Sequence, residues 1–253
     1  DHPAYVLSYA SCVGKKEGEG PLKHSFDLIN EDSFFGEKTW EKAESIIHGD
    51  AVTLAINKAG FAPSDIDIIF AGDLLNQCIG TTFGIRELGI PFAGMYGACS
   101  TMALSMAMAS IMVDSKTVKR AVASTSSHFC SAEKQFRMPL EYGGQRTPTS
   151  QWTVTGAGAV LVSSSGKGPR ITSCTIGTVT DLGIKDANNM GAAMAPACCD
   201  TIVRYFEESG LSPDCFDGIF TGDLGSEGHD LLLELCADQG LRLGKNTNDC
   251  GMI

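Results

Sequence analysis

The sequence predicts an α/β fold made of two halves that repeat one plan, and three observations predict it. Two segments align without gaps at an offset of 150 residues. Amphipathic helical stretches alternate with short apolar strands. A run rich in Ala, Met and Ser follows Cys99 and reads as a core helix.

Taken in order, the first helix is expected at Trp40 to Lys58, where apolar residues recur at helical spacing. Gly60-Phe61-Ala62-Pro63 then supplies a glycine C-cap and a proline-containing loop, and Asp67 to Leu74 reads as a buried strand ending in Gly72-Asp73-Leu74. Cys99 follows within Gly97-Ala98-Cys99-Ser100-Thr101, and the core helix spans Met102 to Val113. That run is too short and too rich in Ser and Thr to span a membrane, and Met102, Met106, Met108 and Met112 read as core filling. Next come a strand at Arg120 to Ser124, an irregular stretch from Phe129 to Gln151 and a strand at Val154 to Ser163. The turn Ser165-Gly166-Lys167-Gly168-Pro169 is taken as the boundary, giving halves 1–168 and 169–253, with another strand at Ile171 to Val179.

The second copy repeats the plan as a helix at Met194 to Ser209, Gly210-Leu211-Ser212-Pro213, and a strand from Asp217 to Leu224. Eight of the sixteen positions from Ala59 and from Ser209 onward are identical, too many for a casual helix–strand resemblance. With one added residue, Cys250 falls opposite Cys99. The second copy stops at Ile253, where the first begins its core helix, so the second half is expected to be truncated and to expose apolar surface.

The totals narrow the function classes. A net charge of −11 argues against nucleic-acid binding and against docking on anionic lipid by charge alone. Membrane association would have to come through a protein partner. The ten cysteines are dispersed, with no CxxC and one adjacent pair, Cys198-Cys199, which indicates neither a zinc site nor a disulfide framework. A reducing, cytoplasmic-side compartment is expected. The chain opens at Asp1 with no signal-like segment.

Candidate site residues follow from position. At the mouth of a helix, Cys99 meets unpaired N–H groups and the macrodipole, which favour an anion or a thiolate. It is either a nucleophile or the floor of an anion pocket. His128 closes a strand and a Ser/Thr run, where a side chain can point into a cleft or be satisfied in the interior. Asp73 and Asp223 end the duplicated strands, and α/β sheets place ligands at the carboxyl ends of strands. The competing role for each is a helix cap or turn. Asn76 accompanies Asp73 in the same loop. Gly80-Thr81-Thr82-Phe83-Gly84 lacks the lysine of a phosphate loop, and Lys15 to Gly20 reads as a solvated loop.

Several motifs together carry a resemblance. Val154 to Leu161 is similar to the glycine-rich strand that ends the first half of ketoacyl synthases, and the duplication with Cys99 resembles the thiolase-like superfamily. Within it, Ala71 to Gln77, Gly97 to Thr101, Ser124 to His128 and Gln135-Phe136-Arg137 resemble the stage V sporulation protein AD family. Glu141 to Gln145, Ala193 to Ala197 and Asn248 to Gly251 do so as well. The resemblance implies a thiolase-like five-layer α/β/α/β/α sandwich of duplicated βαβαβ halves. It also implies non-catalytic binding of dipicolinic acid (pyridine-2,6-dicarboxylate) by a subunit of a membrane channel complex that loads and releases the compound.

A dianionic ligand needs donors or a cation, and of Arg137 and Arg146 in the irregular stretch, Arg137 is the candidate for a planar carboxylate. Calcium is left open as a companion ion; no other cofactor or metal is expected. The resemblance further implies a homodimer through an edge strand of the first half, tethered by other sporulation proteins to the cytoplasmic side of the spore inner membrane.

The rival reading is a Cys-dependent acyltransferase of ketoacyl-synthase type that loads an acyl group on Cys99. A scaffold with a vestigial pocket is a third. Condensing relatives pair the Cys with a His and a second His or Asn, largely from the second half. Here the second strand end carries Gly222-Asp223-Leu224, and His229, six residues on, reads as a surface helix residue. Asn248 resembles the family's Asn but does not alone rebuild that set. A carboxylate in place of the base would raise the thiol pKa and oppose an oxyanion.

Overall fold

Strand pairing in a computed structural model follows the alternation of buried and exposed positions along the chain; the structure describes residues 4–136, 152–186 and 188–252. Of these, 4–136 with 153–173 form one compact unit, and 152 with 174–186 and 188–252 form another.

The first unit runs β1 (Ala4–Gly14), α1 (Lys15–Gly18), β2 (Leu28–Asn30), α2 (Trp40–Lys58), β3 (Ile68–Gly72), α3 (Ile79–Ile85) and β4 (Phe92–Gly94). It continues with α4 (Thr101–Asp114), β5 (Arg120–Ser127), α5 (Phe129–Phe136), β6 (Gly156–Ser163) and β7 (Arg170–Ile171). The sheet order is β2-β1-β6-β5-β3-β4, with β7 on β1. Strand β3 lies between β5 and β4 and is parallel to both, whereas β6 is antiparallel to β5 and to β1.

Period-two alternation sends each strand's apolar residues to two helices. Ile69, Ala71, Val122 and Leu161 share a buried cluster with Ala43, Ile47, Ala51, Val52 and Ala55 of α2. The intervening Phe70, Ala121, Ala123 and Val162 cluster with Ala109 and Val113 of α4, with Met106, Met108 and Met112 packed around them. A one-residue slip would turn both sets to the wrong helix, so the two cores fix the register.

In the second unit α6 (Met190–Ser209) precedes β8 (Ile219–Thr221), α7 (Gly225–Asp238) and β9 (Thr247–Asp249), which pairs parallel with β8. The two helices bury Ala195, Cys199, Val203, Leu232 and Cys236 together. They approach closely at two glycines: a Cβ on Gly228 would lie 2.7 Å from the Gly191 Cα.

The duplication is visible in the backbone. Gly60 and Gly210 both adopt a left-handed conformation, with φ of 76° and 67°, as helix-ending residues do. Each is followed by a one-turn 3-10 helix begun by proline, Pro63–Asp65 and Pro213–Cys215, and then by β3 or β8.

Several expectations need correction. The strand expected at Ile171 to Val179 pairs with β1 only at its first residue, and no described strand lies alongside the rest. Alternation without a neighbour to bond leaves Ile176 and Val179 exposed. The irregular stretch opens with helix α5; residues 137–151 lie outside the described residues. Lys15 to Gly18 is a helical turn, and Gly80 to Gly84 lies inside α3. His229 is buried at 7% exposure, because the Gly191–Gly228 contact brings the start of α7 onto α6. The longest described strand, β1, carries no local pattern that marks it. Its small and polar residues dilute the apolar signal, as at Ser8, whose hydroxyl is buried and donates to the Ala55 carbonyl at 2.6 Å.

Candidate functional site at the strand ends

Three adjacent parallel strands, β5, β3 and β4, end at the same edge of the first unit's sheet. Four of the expected residues follow these ends: Asp73 and Asn76 after β3, Cys99 after β4, and His128 after β5. The topology of an open α/β sheet places ligands at such an edge. Asp223 and Asn248 lie after β8 and within β9 of the second unit, and Arg137 lies outside the described residues.

The loop after β3 is held by Asp73. Its carboxylate is 1% exposed and accepts from the Leu75 N–H at 2.8 Å and from the Thr81 N–H and hydroxyl, each at 2.6 Å. That is the turn role rather than a side chain held out to a ligand. Asn76 is exposed and clasped to α5: its N–H donates to Gln135 Oε1 at 3.2 Å, and Gln135 Nε2 donates to its Oδ1 at 3.0 Å. Gln77 and Cys78 adopt positive φ, 55° and 52°, which costs non-glycine residues energy and needs surrounding contacts to persist.

The Cys99 loop packs on the end of β3 so closely that a Cβ on Gly72 would lie 1.8 Å from the Met95 carbonyl oxygen. Met95 N–H donates to the Ala71 carbonyl at 2.7 Å, and the Cys78 thiol donates to the Met95 carbonyl at 3.4 Å. Cys99 is exposed in the turn Ala98–Ser100 that leads into α4. Side chains tie that turn: the Thr101 hydroxyl donates to the Ala98 carbonyl at 2.8 Å, and the Ser100 hydroxyl to the Gly97 carbonyl at 2.7 Å.

His128 is 1% exposed, and both its ring nitrogens are engaged by backbone. Nδ1 accepts from the Cys130 N–H at 3.1 Å, so Nε2 carries the proton and donates to the Ser33 carbonyl at 2.8 Å. Burial lowers its pKa, which keeps the ring neutral. In this arrangement neither nitrogen is open to take a proton from Cys99 or to meet a ligand.

The sequence reading missed a buried polar stripe between α2 and β5. Glu44 is fully buried and accepts from the Ser131 hydroxyl at 2.6 Å and the Ser126 hydroxyl at 3.2 Å. One helical turn on, His48 Nε2 pairs with the Ser124 hydroxyl at 2.8 Å, and its buried Nδ1 has no partner. Burial drives the Glu44 pKa up to about 7 and that of His48 down to about 4. The signal was present: Glu44 and His48 lie in phase with Ile47, Ala51 and Ala55, and Ser124 and Ser126 in phase with Val122.

In the second unit Asp249 is a carboxylate that gathers donors. It accepts from the Thr221 hydroxyl at 2.6 Å and from the N–H groups of Leu224, Gly225 and Gly251 at 3.0, 2.9 and 2.8 Å. Asn248 is exposed, its amide donating to the Asn246 carbonyl at 3.4 Å, and Asp223 sits at a φ of 64°. A cleft of about 460 Å³ on α2 and α3, lined by Glu41, Ser45, Ile46, Ile79 and Phe83 among others, includes none of the expected residues.

The sequence matches the family described as Stage V sporulation protein AD over residues 1–253. The chain belongs to that family. It is 44% identical to the Stage V sporulation protein AD of Bacillus subtilis (strain 168) over 253 residues, all of this chain and 75% of that protein. Its fold is thiolase-like. The 3-oxoacyl-[acyl-carrier-protein] synthase III of Aquifex aeolicus VF5 aligns with a TM-score of 0.61 at 14% identity, over 97% of this chain and 83% of that one. Xanthomonas campestris OleA, solved with bound lauric acid and lauroyl-CoA, aligns with a TM-score of 0.63 at 13% identity, covering 98% and 84%. At such identities the likeness establishes the fold, and the chemistry of these enzymes does not carry over with it.

Proposed function

We propose that this sporulation-family protein binds dipicolinic acid without turning it over, at the carboxyl edge of β5, β3 and β4. The non-catalytic part rests on Gly222-Asp223-Leu224, which carries no His at the second-half strand end, and within the first unit the observation that supports it is His128. The histidine on the same sheet edge as Cys99 is neutral and spends both nitrogens on backbone groups, so the thiol lacks its service as a base. The fold of a condensing enzyme is kept, and this one Cys–His couple is not assembled.

A pyridine dicarboxylate is a dianion near neutral pH, and its desolvation must be offset by donors. Asn76 offers an exposed amide, and the start of α4 contributes the positive end of its dipole, the Ser100 and Thr101 N–H groups there being donated to the Gly97 and Ala98 carbonyls. Arg137 is the proposed guanidinium partner. Asp73, with three donors already on its carboxylate, shapes the loop rather than touching the ligand. Calcium as a companion ion, and roles for Asp223 and Asn248, are read in the same experiment.

We further propose a homodimer that sits at the cytoplasmic side of the spore inner membrane as a subunit of a channel complex. The net charge of −11 disfavours direct adsorption to anionic lipid, and no helix among the described residues is long and apolar enough to cross a membrane. Attachment then falls to protein partners.

The test is calorimetric titration with dipicolinate, with and without calcium, against benzoate and acetyl-CoA. The variants are Cys99→Ala, Asn76→Ala, Arg137→Ala, Asp223→Asn and Asn248→Ala. Saturable dipicolinate binding, weakened about tenfold by loss of one charge-assisted hydrogen bond, is the expected result. Absence of dipicolinate binding together with an acyl adduct on Cys99 from acetyl-CoA would establish the acyltransferase instead.

A further inference from the structure

The segment 73–81, the loop after β3 together with the first turn of α3 and called the loop below, combines three features that a switchable segment needs. It carries strained backbone at Gln77 and Cys78, it is pinned by one carboxylate, and it covers a second carboxyl group. Gly80 lies against Glu44, with an added Cβ only 3.4 Å from the Glu44 side chain, so lifting the loop admits water to that carboxyl. We propose that Glu44 makes this loop proton-sensitive: proton uptake by Glu44 closes the loop that carries Asn76, and proton release loosens it.

Among the described residues, the charged groups that face Glu44 have one sign. From the loop comes Asp73, and from the preceding turn of α2 comes Glu41, whose carboxylate is paired with Lys134 of α5 at 2.7 Å. Strand β5 presents Ser126 and α5 presents Ser131, both neutral donors. Helix α3 has no titratable side chain, and His48, one turn along α2, is held neutral by its own burial. An ionised Glu44 therefore sits with Asp73 in a buried site, with no cation among the described residues acting on it. Two hydroxyl donors lessen that cost without cancelling it.

The linkage has a definite sign. Glu44 holds its proton up to about pH 7 when buried, whereas an exposed glutamate loses it near its ordinary pKa of 4.5. Between those values the closed loop binds more protons than the open one, so closure strengthens as pH falls. By that arithmetic, loop opening should be about tenfold rarer at pH 6 than at pH 8. The inference goes beyond the binding reading and stands whether or not dipicolinate is the ligand.

The test uses the full chain without ligand. Amide hydrogen exchange at Leu75 and Thr81, corrected for the intrinsic pH dependence of exchange, should show about tenfold greater protection at pH 6 than at pH 8. Glu44→Gln should hold the loop in its protected state at both values. Equal protection at the two pH values in the wild type overturns the proposal, as does a Glu44→Gln protein that keeps the pH dependence. Should that variant fail to fold, carboxyl carbon-13 resonances of the wild-type protein decide. A Glu44 carboxyl titrating near its ordinary value, rather than close to neutrality, sinks the idea, and a midpoint that falls in Asp73→Asn supports it.

Discussion

At the scale of single residues, buried carboxylates and an exposed thiol have opposite consequences. Removing the Asp73 side chain strands the N–H groups of Leu75 and Thr81 in a dry site. Asp73→Ala should therefore cost about 2–4 kcal/mol, read from urea midpoints. Cys99→Ser should move stability by no more than about 0.5 kcal/mol, since the residue is exposed. A variant pair with the opposite ranking would mean that Asp73 is not the pin of the loop. Glu44 and His48 add a pH dependence with two opposed limbs. The raised Glu44 pKa gives stability as pH falls through about 7 towards 4.5. The His48 pKa, lowered from 6.5 to about 4, takes stability away as pH falls between those values. From about pH 6.5 to 4.5 the two offset each other, so Glu44→Gln should lose stability with acid more steeply than the wild type. Parallel pH profiles of the two proteins would remove the argument. None of these roles was legible residue by residue. Asp73 was visible as a strand-end acid, yet its function depends on the Thr81 donors, which only the folded loop brings to it.

At the scale of elements, the sequence was most legible where local signals agreed. Helix α2 spans Trp40–Lys58 as expected because Thr39 caps its start, accepting from the Lys42 N–H, and Gly60 takes the left-handed turn at its end. The duplicated glycine, proline and strand pattern gave β3 and β8 for the same reason. Strand β1 and the lost strand after Ile171 were illegible because both depend on neighbours rather than on their own pattern. Close approach between elements makes a sharp prediction at glycine. Gly72→Ala drives a methyl group into the Met95 backbone carbonyl, which cannot swing aside as a side chain would. The change should cost about 3 kcal/mol or more and displace the Cys99 loop, with dipicolinate binding lost in the same calorimetric assay. Gly158→Ala, on β6 with nothing within 4 Å of the added atom, should be neutral or stabilise by about 0.4–1 kcal/mol. Similar thermal midpoints for the two variants would show that the loop does not bear on β3 as described.

At the scale of the whole molecule, the fold class was readable from the duplication, while the proposed homodimer needs an edge that no internal pattern reveals. Strand β4 ends the sheet of the first unit, bonded to β3 on one side, and no described strand lies on its other side. An open edge of this kind invites another strand unless it is blocked. The sequence of β4, Phe92-Ala93-Gly94, carries none of the charged residues that usually discourage such pairing. A second copy of this chain related by a two-fold axis would place β4 antiparallel to itself and continue the sheet across both protomers. Sedimentation equilibrium should then give twice the 26.7 kDa of the chain, largely unaffected by salt because the pairing is through backbone. Placing a lysine at Phe92 or Ala93 should shift the population to monomer. A monomer at every concentration tested, or a dimer that ignores a charge in β4, would assign this edge another partner.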